Sequence, residues 1–226
     1  MKILGIDTSA KTASVAVCDE EKIIISASLN TGLTHSQTLL PMIENMLTAA
    51  NMKLSDIDAF AVSKGPGSFT GIRIGVSAIK GLSYAENKGC IGVSTLEALA
   101  YNMNGFDGVI CPCMDARRNQ VYNAIFENEN RLCEDRAISI DELKAELEKY
   151  DKKIWLVGDG AELVYSKTGE EMENVKLAPM TLRYQLGSSV CMCAFKYEQI
   201  SPEKLLPSYL RLSQAERERA ERLNNK

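Results

Sequence analysis

The amino-acid sequence predicts an α/β protein of two lobes followed by a charged tail. Short runs of β-branched and apolar residues alternate with stretches of helical apolar periodicity, which is typical of α/β domains with at least partly parallel strands. The strand pattern starts again near residue 104, so we expect one lobe at 1–103, a second at 104–212 and a tail at 213–226. A chain of 226 residues suits one large domain or two small ones.

The predicted first lobe begins with a three-stranded meander, because three short apolar runs are separated by polar turns. A helix follows in which apolar residues recur at spacings of three and four, and a glycine-rich turn separates the next strand from a second helix. The expected strands lie at 3–6, 14–17, 23–25, 59–63 and 90–93, and the expected helices at 36–51, 71–87 and 95–101.

The predicted second lobe repeats this alternation. Ser139 and Glu142 have the spacing of a capping box, so a helix is expected to begin there. The expected strands lie at 108–114, 119–126 and 154–157, and the expected helices at 139–150 and 183–198. The tail is mostly charged and polar, which predicts a solvated helix or a frayed end.

The composition excludes several classes of protein. With 26 basic and 30 acidic residues the net charge is -4, too little positive charge to hold nucleic acid tightly alone. The sequence lacks a membrane span and a signal-peptide pattern, so we expect a cytoplasmic protein with no membrane partner. Seven cysteines fit reduced thiols, and the pairs Cys111/Cys113 and Cys191/Cys193 lack the spacing of a zinc site. The single histidine, His35, excludes mechanisms that need a histidine pair.

Two turns that follow predicted strands contain residues suited to binding. The segment 5–9 places Asp7, Thr8 and Ser9 where they can face a phosphate or its metal ion. The segment 63–71 lies between a strand and a helix, where backbone N–H groups can hold an anion, although it matches neither a Walker A loop nor a G-x-G-x-x-G motif. Each segment is also compatible with a structural turn, which the short pattern at 5–9 favours, and both interpretations stay open.

Two further segments also allow two interpretations each. Gly71, Gly75 and Ala78 place small residues along one helix, which permits close packing against the chain's own sheet or against a partner helix. Arg117 and Arg118 lie at a predicted hairpin, where they suit either an anion or RNA contact or a solvated tip.

Four segments together resemble the bacterial TsaB family, also called YeaZ. They are Gly-Ile-Asp-Thr-Ser at 5–9, Ser-Lys-Gly-Pro-Gly-Ser-Phe-Thr-Gly-Ile-Arg-Ile-Gly at 63–75, Asp-Ala-Arg-Arg-Asn-Gln-Val-Tyr at 115–122, and Pro-Ser-Tyr-Leu-Arg at 207–211. The resemblance covers nearly the whole chain. It implies a two-lobed fold of the actin/Hsp70/sugar-kinase (ASKHA) type. The nucleotide site is expected to be degraded, because Thr8 stands where kinases of this fold have a glycine.

The resemblance implies a non-catalytic scaffold or activator subunit of the complex that forms threonylcarbamoyladenosine beside the tRNA anticodon. Its implied partners are the catalytic paralogue TsaD, the ATPase TsaE and, when alone, a second copy, with tRNA bound only within the complex. Thr95 and Leu99 stand where the paralogue has the two histidines of its metal motif, so no metal is expected here. No cofactor is expected either, although a nucleotide at the partner interface stays open. The alternative is a residual nucleotide-hydrolysing enzyme or a glycoprotease-like hydrolase.

The partner surface is expected on the first lobe. The helix at 36–51 has more apolar residues than one core-facing stripe requires, and the helix at 71–87 has small residues that permit close contact. The residues predicted for an interface shared by the homodimer and the TsaD complex are Leu39, Met42, Ile43, Met46, Gly71, Arg73, Gly75 and Ala78.

Overall fold

The computed structural model describes residues 1–169 and 171–211, and its first sheet has five strands. They are β1 (Ile3–Asp7), β2 (Ala13–Cys18), β3 (Ile23–Leu29), β4 (Ala59–Gly65) and β5 (Cys90–Ser94), in the order β3-β2-β1-β4-β5. The first three strands pair antiparallel, which confirms the predicted meander, whereas β4 lies parallel to β1 and β5 parallel to β4.

Three helices of the first half cover this sheet, close to their predicted positions. They are α1 (His35–Ala49), α2 (Phe69–Glu86) and α3 (Thr95–Tyr101). The Ser68 side chain caps α2 by accepting a hydrogen bond from the Gly71 N–H, and Asn87 ends the helix in the left-handed conformation with φ of 52°. Leu4 and Ile6 of β1 face a core shared with α1 and α2. Alternation along the strand turns Ile3 to the opposite face.

Among the described residues, the second sheet contains seven strands. They are β6 (Val109–Arg117), β7 (Gln120–Asn123), β8 (Phe126–Glu127), β9 (Asn130–Arg131), β10 (Arg136–Ser139), β11 (Ile154–Val157) and β12 (Val175–Leu177). The main order is β10-β7-β6-β11-β12, and β8 pairs with β6 and β9 beside it. Three helices accompany this sheet, namely α4 (Ile140–Leu147), α5 (Ala161–Thr168) and α6 (Met180–Arg183). The capping box of Ser139 and Glu142 at the start of α4 is confirmed.

The single strand predicted at 119–126 is wrong, because the chain breaks it into β7 and β8. Pro112 of the facing strand β6 has no N–H to donate at this point. The Asn123 side chain instead donates hydrogen bonds to the carbonyls of Pro112 (3.0 Å) and Ala124 (2.9 Å). Pairing with β6 then resumes at Phe126.

The helix predicted at 183–198 is also wrong, because α6 ends at Arg183 and a shorter helix, α7 (Gly187–Ala194), follows. The backbone carbonyl of Arg183 accepts a hydrogen bond from the Gly158 N–H (2.7 Å), and the backbone of Tyr184 is extended. A side chain on Gly187 would overlap the backbone of Val15 and Ala16. This close contact lets α7 pack directly against the first sheet. Helical periodicity in the sequence could not predict where α7 begins, because the contact joins residues that are distant in sequence.

The lobe boundaries at 1–103 and 104–212 stay a prediction, and the position of α7 does not follow them. Although α7 comes after the second sheet in sequence, it packs against β1 and β2 of the first sheet. Ser208 also returns to that sheet, where its N–H donates to the Lys64 carbonyl (2.7 Å). The predicted tail at 213–226 lies outside the described residues. Within 1–169 and 171–211, no helix is both long and apolar enough to cross a membrane.

Candidate functional site

A cleft of about 680 Å³ opens where loops of the two sheets meet. It is lined by the β1–β2 turn, the β4–α2 turn, the β6–β7 hairpin, the start of the β11–α5 turn and the C-terminal segment at 208–211. Four of the segments singled out from the sequence therefore reach one cavity, namely 5–9 (through Ser9), 63–71, 115–122 and 207–211. Its volume is in the range of small-molecule sites.

Asp7, at the end of β1, is held by a closed set of hydrogen bonds. One carboxylate oxygen accepts from the Ser9 N–H (2.8 Å) and the Ser9 hydroxyl (2.6 Å), and the other accepts from the Ser63 hydroxyl (2.5 Å). The side chain is only 1% exposed. Burial raises the pKa of Asp7, and the hydrogen bonds from Ser63 and Ser9 lower it in part. The carboxylate thus braces β1 against β4 and does not line the cleft.

Thr8 decides the interpretation of the small residues on α2. Its hydroxyl donates to the Gly71 carbonyl (2.8 Å), and a side chain on Gly71 would overlap the Thr8 carbonyl. A side chain on Gly75 would overlap the Thr8 hydroxyl. Both glycines are buried, so they serve close packing of α2 against the chain's own sheet, which was one of the two open interpretations.

The glycine-rich turn uses some of its backbone donors within the chain. The Ser68 N–H donates to the Ser9 carbonyl (2.6 Å), and the Gly71 N–H donates to the Ser68 side chain (3.2 Å). Gly67 has φ of 154° and lies against Ser9, where a side chain would collide with the Ser9 carbonyl. These contacts join the turn to the β1–β2 turn and favour the structural interpretation of the segment.

Asp159, just after β11, is a cleft residue that sequence reasoning missed. Its side chain is largely buried, and its Oδ1 has no hydrogen-bond partner among the described residues. Burial raises the pKa of Asp159 to about 6, and the nearby Asp115 and Asp7 add to the increase. The sequence signal was a Gly-Asp-Gly turn after a buried strand, which is too common to identify an ionisable site.

The predicted anion contact, Arg117 and Arg118, lies at the tip of the β6–β7 hairpin. Both arginines are exposed, with φ of 65° and 55°. The Arg117 guanidinium pairs with Asp115 (3.1 Å) and lines the cleft. Arg211 donates to the Ala116 carbonyl (2.8 Å) in the same hairpin. A role of this tip in binding an anion or RNA stays a prediction.

Comparisons with known proteins connect this geometry to a family. A family model described as TsaD, tRNA N6-adenosine threonylcarbamoyltransferase, matches residues 30–190. A tRNA threonylcarbamoyladenosine biosynthesis protein TsaB from Bacillus subtilis is 32% identical over 222 residues, which cover 96% of this chain and 96% of the relative. The chain belongs to the TsaB family.

Other relatives agree with this family and with the fold. A TsaB protein from Escherichia coli is 38% identical over 132 residues, 57% of this chain and 56% of that protein. A crystal structure from Pseudomonas aeruginosa, described as similar to peptidase YeaZ, has a TM-score of 0.78 and 26% identity over 93% of this chain and 99% of that one. An activator of 2-hydroxyisocaproyl-CoA dehydratase from Clostridium difficile has a TM-score of 0.55 at 11% identity, covering 87% of this chain and 95% of that chain. These neighbours confirm the predicted ASKHA-type fold.

Several residues predicted for a TsaB partner surface are buried in this chain. Leu39, Ile43 and Met46 of α1 are 2%, 4% and 3% exposed and pack in the core beneath the helix. Gly71 and Gly75 are also buried, so these five residues lie beneath the surface of the single chain, and their part in a partner interface stays a prediction.

The remaining predicted interface residues do reach the surface. Arg73 is exposed, and Met42 and Ala78 are half-buried. The Arg73 guanidinium lies 3.8 Å from the centre of the Phe69 ring, and its Nε donates to the Tyr209 hydroxyl (2.8 Å). Phe69 and Tyr209 stack with ring centres 4.5 Å apart. Whether these residues contact a partner stays a prediction.

The side chains at the positions compared with a metal motif are also buried. Thr95 and Leu99 are 0% and 1% exposed on the core side of α3. Cys111 and Cys113 share one strand face with their sulfurs 3.6 Å apart, as the C-x-C spacing predicts. All seven cysteines lie in the described residues as free thiols, and those residues contain no group of three potential metal ligands.

Proposed function

We propose that this chain is a non-catalytic subunit in tRNA threonylcarbamoyladenosine biosynthesis. In this role it binds a catalytic TsaD protein as scaffold or activator, and the ATPase TsaE joins that pair. Membership of the TsaB family supports the pathway. The match to the TsaD family model supports a pairing of two related folds.

The state of Asp7 is the observation that carries the non-catalytic assignment. A catalytic carboxylate must reach a substrate proton, a water or a metal ion. Each oxygen of Asp7 is instead engaged by Ser9 or Ser63, and the side chain is 1% exposed. Thr95 and Leu99 add support, because neither side chain can replace a histidine as a metal ligand.

The hydrogen bonding of His35 argues against the glycoprotease alternative. Its Nε2 lies 2.7 Å from the Ala10 carbonyl, so this ring nitrogen is engaged by the backbone. A serine or cysteine protease needs a ring nitrogen directed at its nucleophile.

Nucleotide hydrolysis remains the second candidate, because the cleft is large enough for a nucleotide and Lys11 and Arg117 line it. The pure chain should be incubated with ATP, with Arg117→Ala as the variant. Turnover that Arg117→Ala lowers by about tenfold or more would favour an enzyme.

The test of the proposal is reconstitution with the TsaD and TsaE proteins of the same organism. We expect the tagged chain to retain TsaD, and to retain TsaE only when TsaD is present. Alone, it should form no threonylcarbamoyl-tRNA from threonylcarbamoyl-adenylate, and its net charge of -4 should leave it with weak tRNA binding at physiological salt. Product formation by the isolated chain, or failure to retain TsaD, would contradict the proposal.

A further inference from the structure

The first sheet ends at β5, and a groove of about 330 Å³ follows the open side of this edge strand. The groove, called the β5 groove below, lies on the sheet edge rather than in the cleft between the lobes. Its lining includes Lys64, Gly92, Tyr197, Ile200, Lys204 and Leu206.

The backbone of β5 points alternately toward the sheet and away from it. The Phe60 N–H donates to the Gly89 carbonyl (3.3 Å), so Gly89 faces β4. Cys90 faces outward, because it exchanges both backbone hydrogen bonds with Ile200 at 2.9 and 2.8 Å. Since this direction alternates along a strand, Gly92 also directs its N–H and carbonyl outward, into the β5 groove.

The pairing with Ile200 shows that this edge accepts an antiparallel strand. It is an isolated bridge of one residue pair, because the chain after Ile200 turns into a short helix at Pro202–Lys204 and the chain before it comes from the end of α7 without pairing. Leu205 then packs into the core, close to Gly92. The outward backbone groups of Gly92 are the next donor and acceptor after those that Ile200 uses.

The walls of the β5 groove are apolar and well exposed. Tyr197, Ile200 and Leu206 are 47%, 36% and 66% exposed, although side chains of this size are more often buried. The Tyr197 hydroxyl donates to Glu97 (2.7 Å), which fixes this ring at the rim. An exposed apolar patch beside an open strand edge is typical of a binding surface for an extended peptide.

Charge indicates which peptide fits. Lys64 and Lys204 line the β5 groove and Glu198 is the acidic residue among its lining residues. This excess of positive charge favours an apolar peptide that carries a carboxylate.

We propose that the β5 groove binds an extended apolar and acidic segment of a partner protein, which adds as a strand to β5 through the backbone of Gly92. The carboxylate of the segment lies near Lys64 and Lys204. This surface is additional to the cleft and to the partner surface predicted on α1 and α2.

The probe is an acetylated, amidated hexapeptide of alternating valine and glutamate, titrated into the full chain labelled with ¹⁵N. We expect the Gly92 amide signal to shift and its hydrogen exchange to slow, with a Kd below about 1 mM. A fully N-methylated form of the peptide should bind at least about tenfold more weakly, because it has no backbone donors.

Three variants separate the parts of this contact. Leu206→Glu should weaken binding by about fivefold or more, whereas Met180→Glu, at a side chain that is 73% exposed outside the β5 groove, should leave it unchanged. The double variant Lys64→Glu with Lys204→Glu should prefer a valine–lysine hexapeptide over the valine–glutamate one.

Three results would overturn the proposal. The first is an unchanged Gly92 signal at about 1 mM peptide, and the second is equal binding of the N-methylated peptide. The third is a concentration-dependent dimer in sedimentation velocity that Leu206→Glu abolishes, because the occupant would then be a second copy of this chain.

Discussion

Asp7 and Asp159 occupy comparable positions in the two halves of the molecule, but their surroundings differ. Asp7 is the last residue of the buried strand β1, and Asp159 follows the buried strand β11. Asp7 is surrounded by hydrogen-bond donors from Ser9 and Ser63. Asp159 lines the cleft and has an oxygen without a partner among the described residues. The comparison shows that the hydrogen-bond donors around an acidic residue at a strand end decide whether its carboxyl group is fully bonded within the fold or keeps an unpartnered oxygen.

The largest expected effect tests how tightly the Asp7 end of the sheet is packed. Gly71→Ala places a methyl group against the Thr8 carbonyl and should lower the free energy of unfolding by roughly 1–3 kcal/mol. Gly81→Ala, on the same helix with open space around it, should raise it by about 0.5–1 kcal/mol. Urea unfolding of both variants measures the difference. Equal effects would show that Thr8 does not constrain α2.

The next effect concerns the pH dependence of stability at Asp159. Burial raises the pKa of this carboxyl from 3.8 to about 6, so between these values the folded state binds more protons than the unfolded state. Stability from this group is therefore full near pH 4 and is lost as the pH rises through 6, by at most about 3 kcal/mol.

Asp159→Asn should remove this decrease and make the protein more stable at pH 7 than the wild type. Chemical unfolding between pH 4 and 8 measures both curves. A wild-type curve that rises across this range in step with the Asn variant would show that the Asp159 carboxylate has a cation or donor beside it in solution.

A loss of stability of similar size is expected when Asp7 loses one hydrogen-bond donor. Ser63→Ala leaves one carboxylate oxygen buried without its hydrogen bond, which should cost about 1–3 kcal/mol and raise the pKa of Asp7 further. The loss should be greater above the pKa of Asp7 than below it, because the charged form needs the donor most. Ser166→Ala, whose exposed hydroxyl donates within its own helix, is the control and should change little. A Ser63→Ala loss that is the same at every pH would contradict the role assigned to this bond.

Much of the fold could be predicted from sequence where local signals decide. Strand β11 and helix α3 have the predicted bounds, and the capping box fixed the start of α4. The helix predicted at 183–198 failed, because Gly187 is held by contact with the distant strand β2. The spacing of the apolar residues in α1 predicted a helix. Their number could not show which of these side chains pack in the chain's own core and which reach the surface.

The site was predictable only in part. Segments 63–71 and 115–122 were identified by their residue types, and the structure brings them to one cleft. The donors around Asp7 include Ser63, which is distant in sequence, so its closed set of hydrogen bonds was not visible. Asp159 was missed because its raised pKa comes from burial and from the neighbouring Asp115 and Asp7.

The central claim, that Asp7 is a structural brace in a non-catalytic subunit, is tested by Asp7→Asn in the reconstituted complex with TsaD and TsaE. Circular dichroism and TsaD binding first establish that the variant is folded and assembled. The rate of threonylcarbamoyl-tRNA formation should then stay within about threefold of the wild type, because no proton or metal passes through this carboxylate. A fall of about a hundredfold or more with assembly intact is the loss typical of a general acid or base, and would contradict the account.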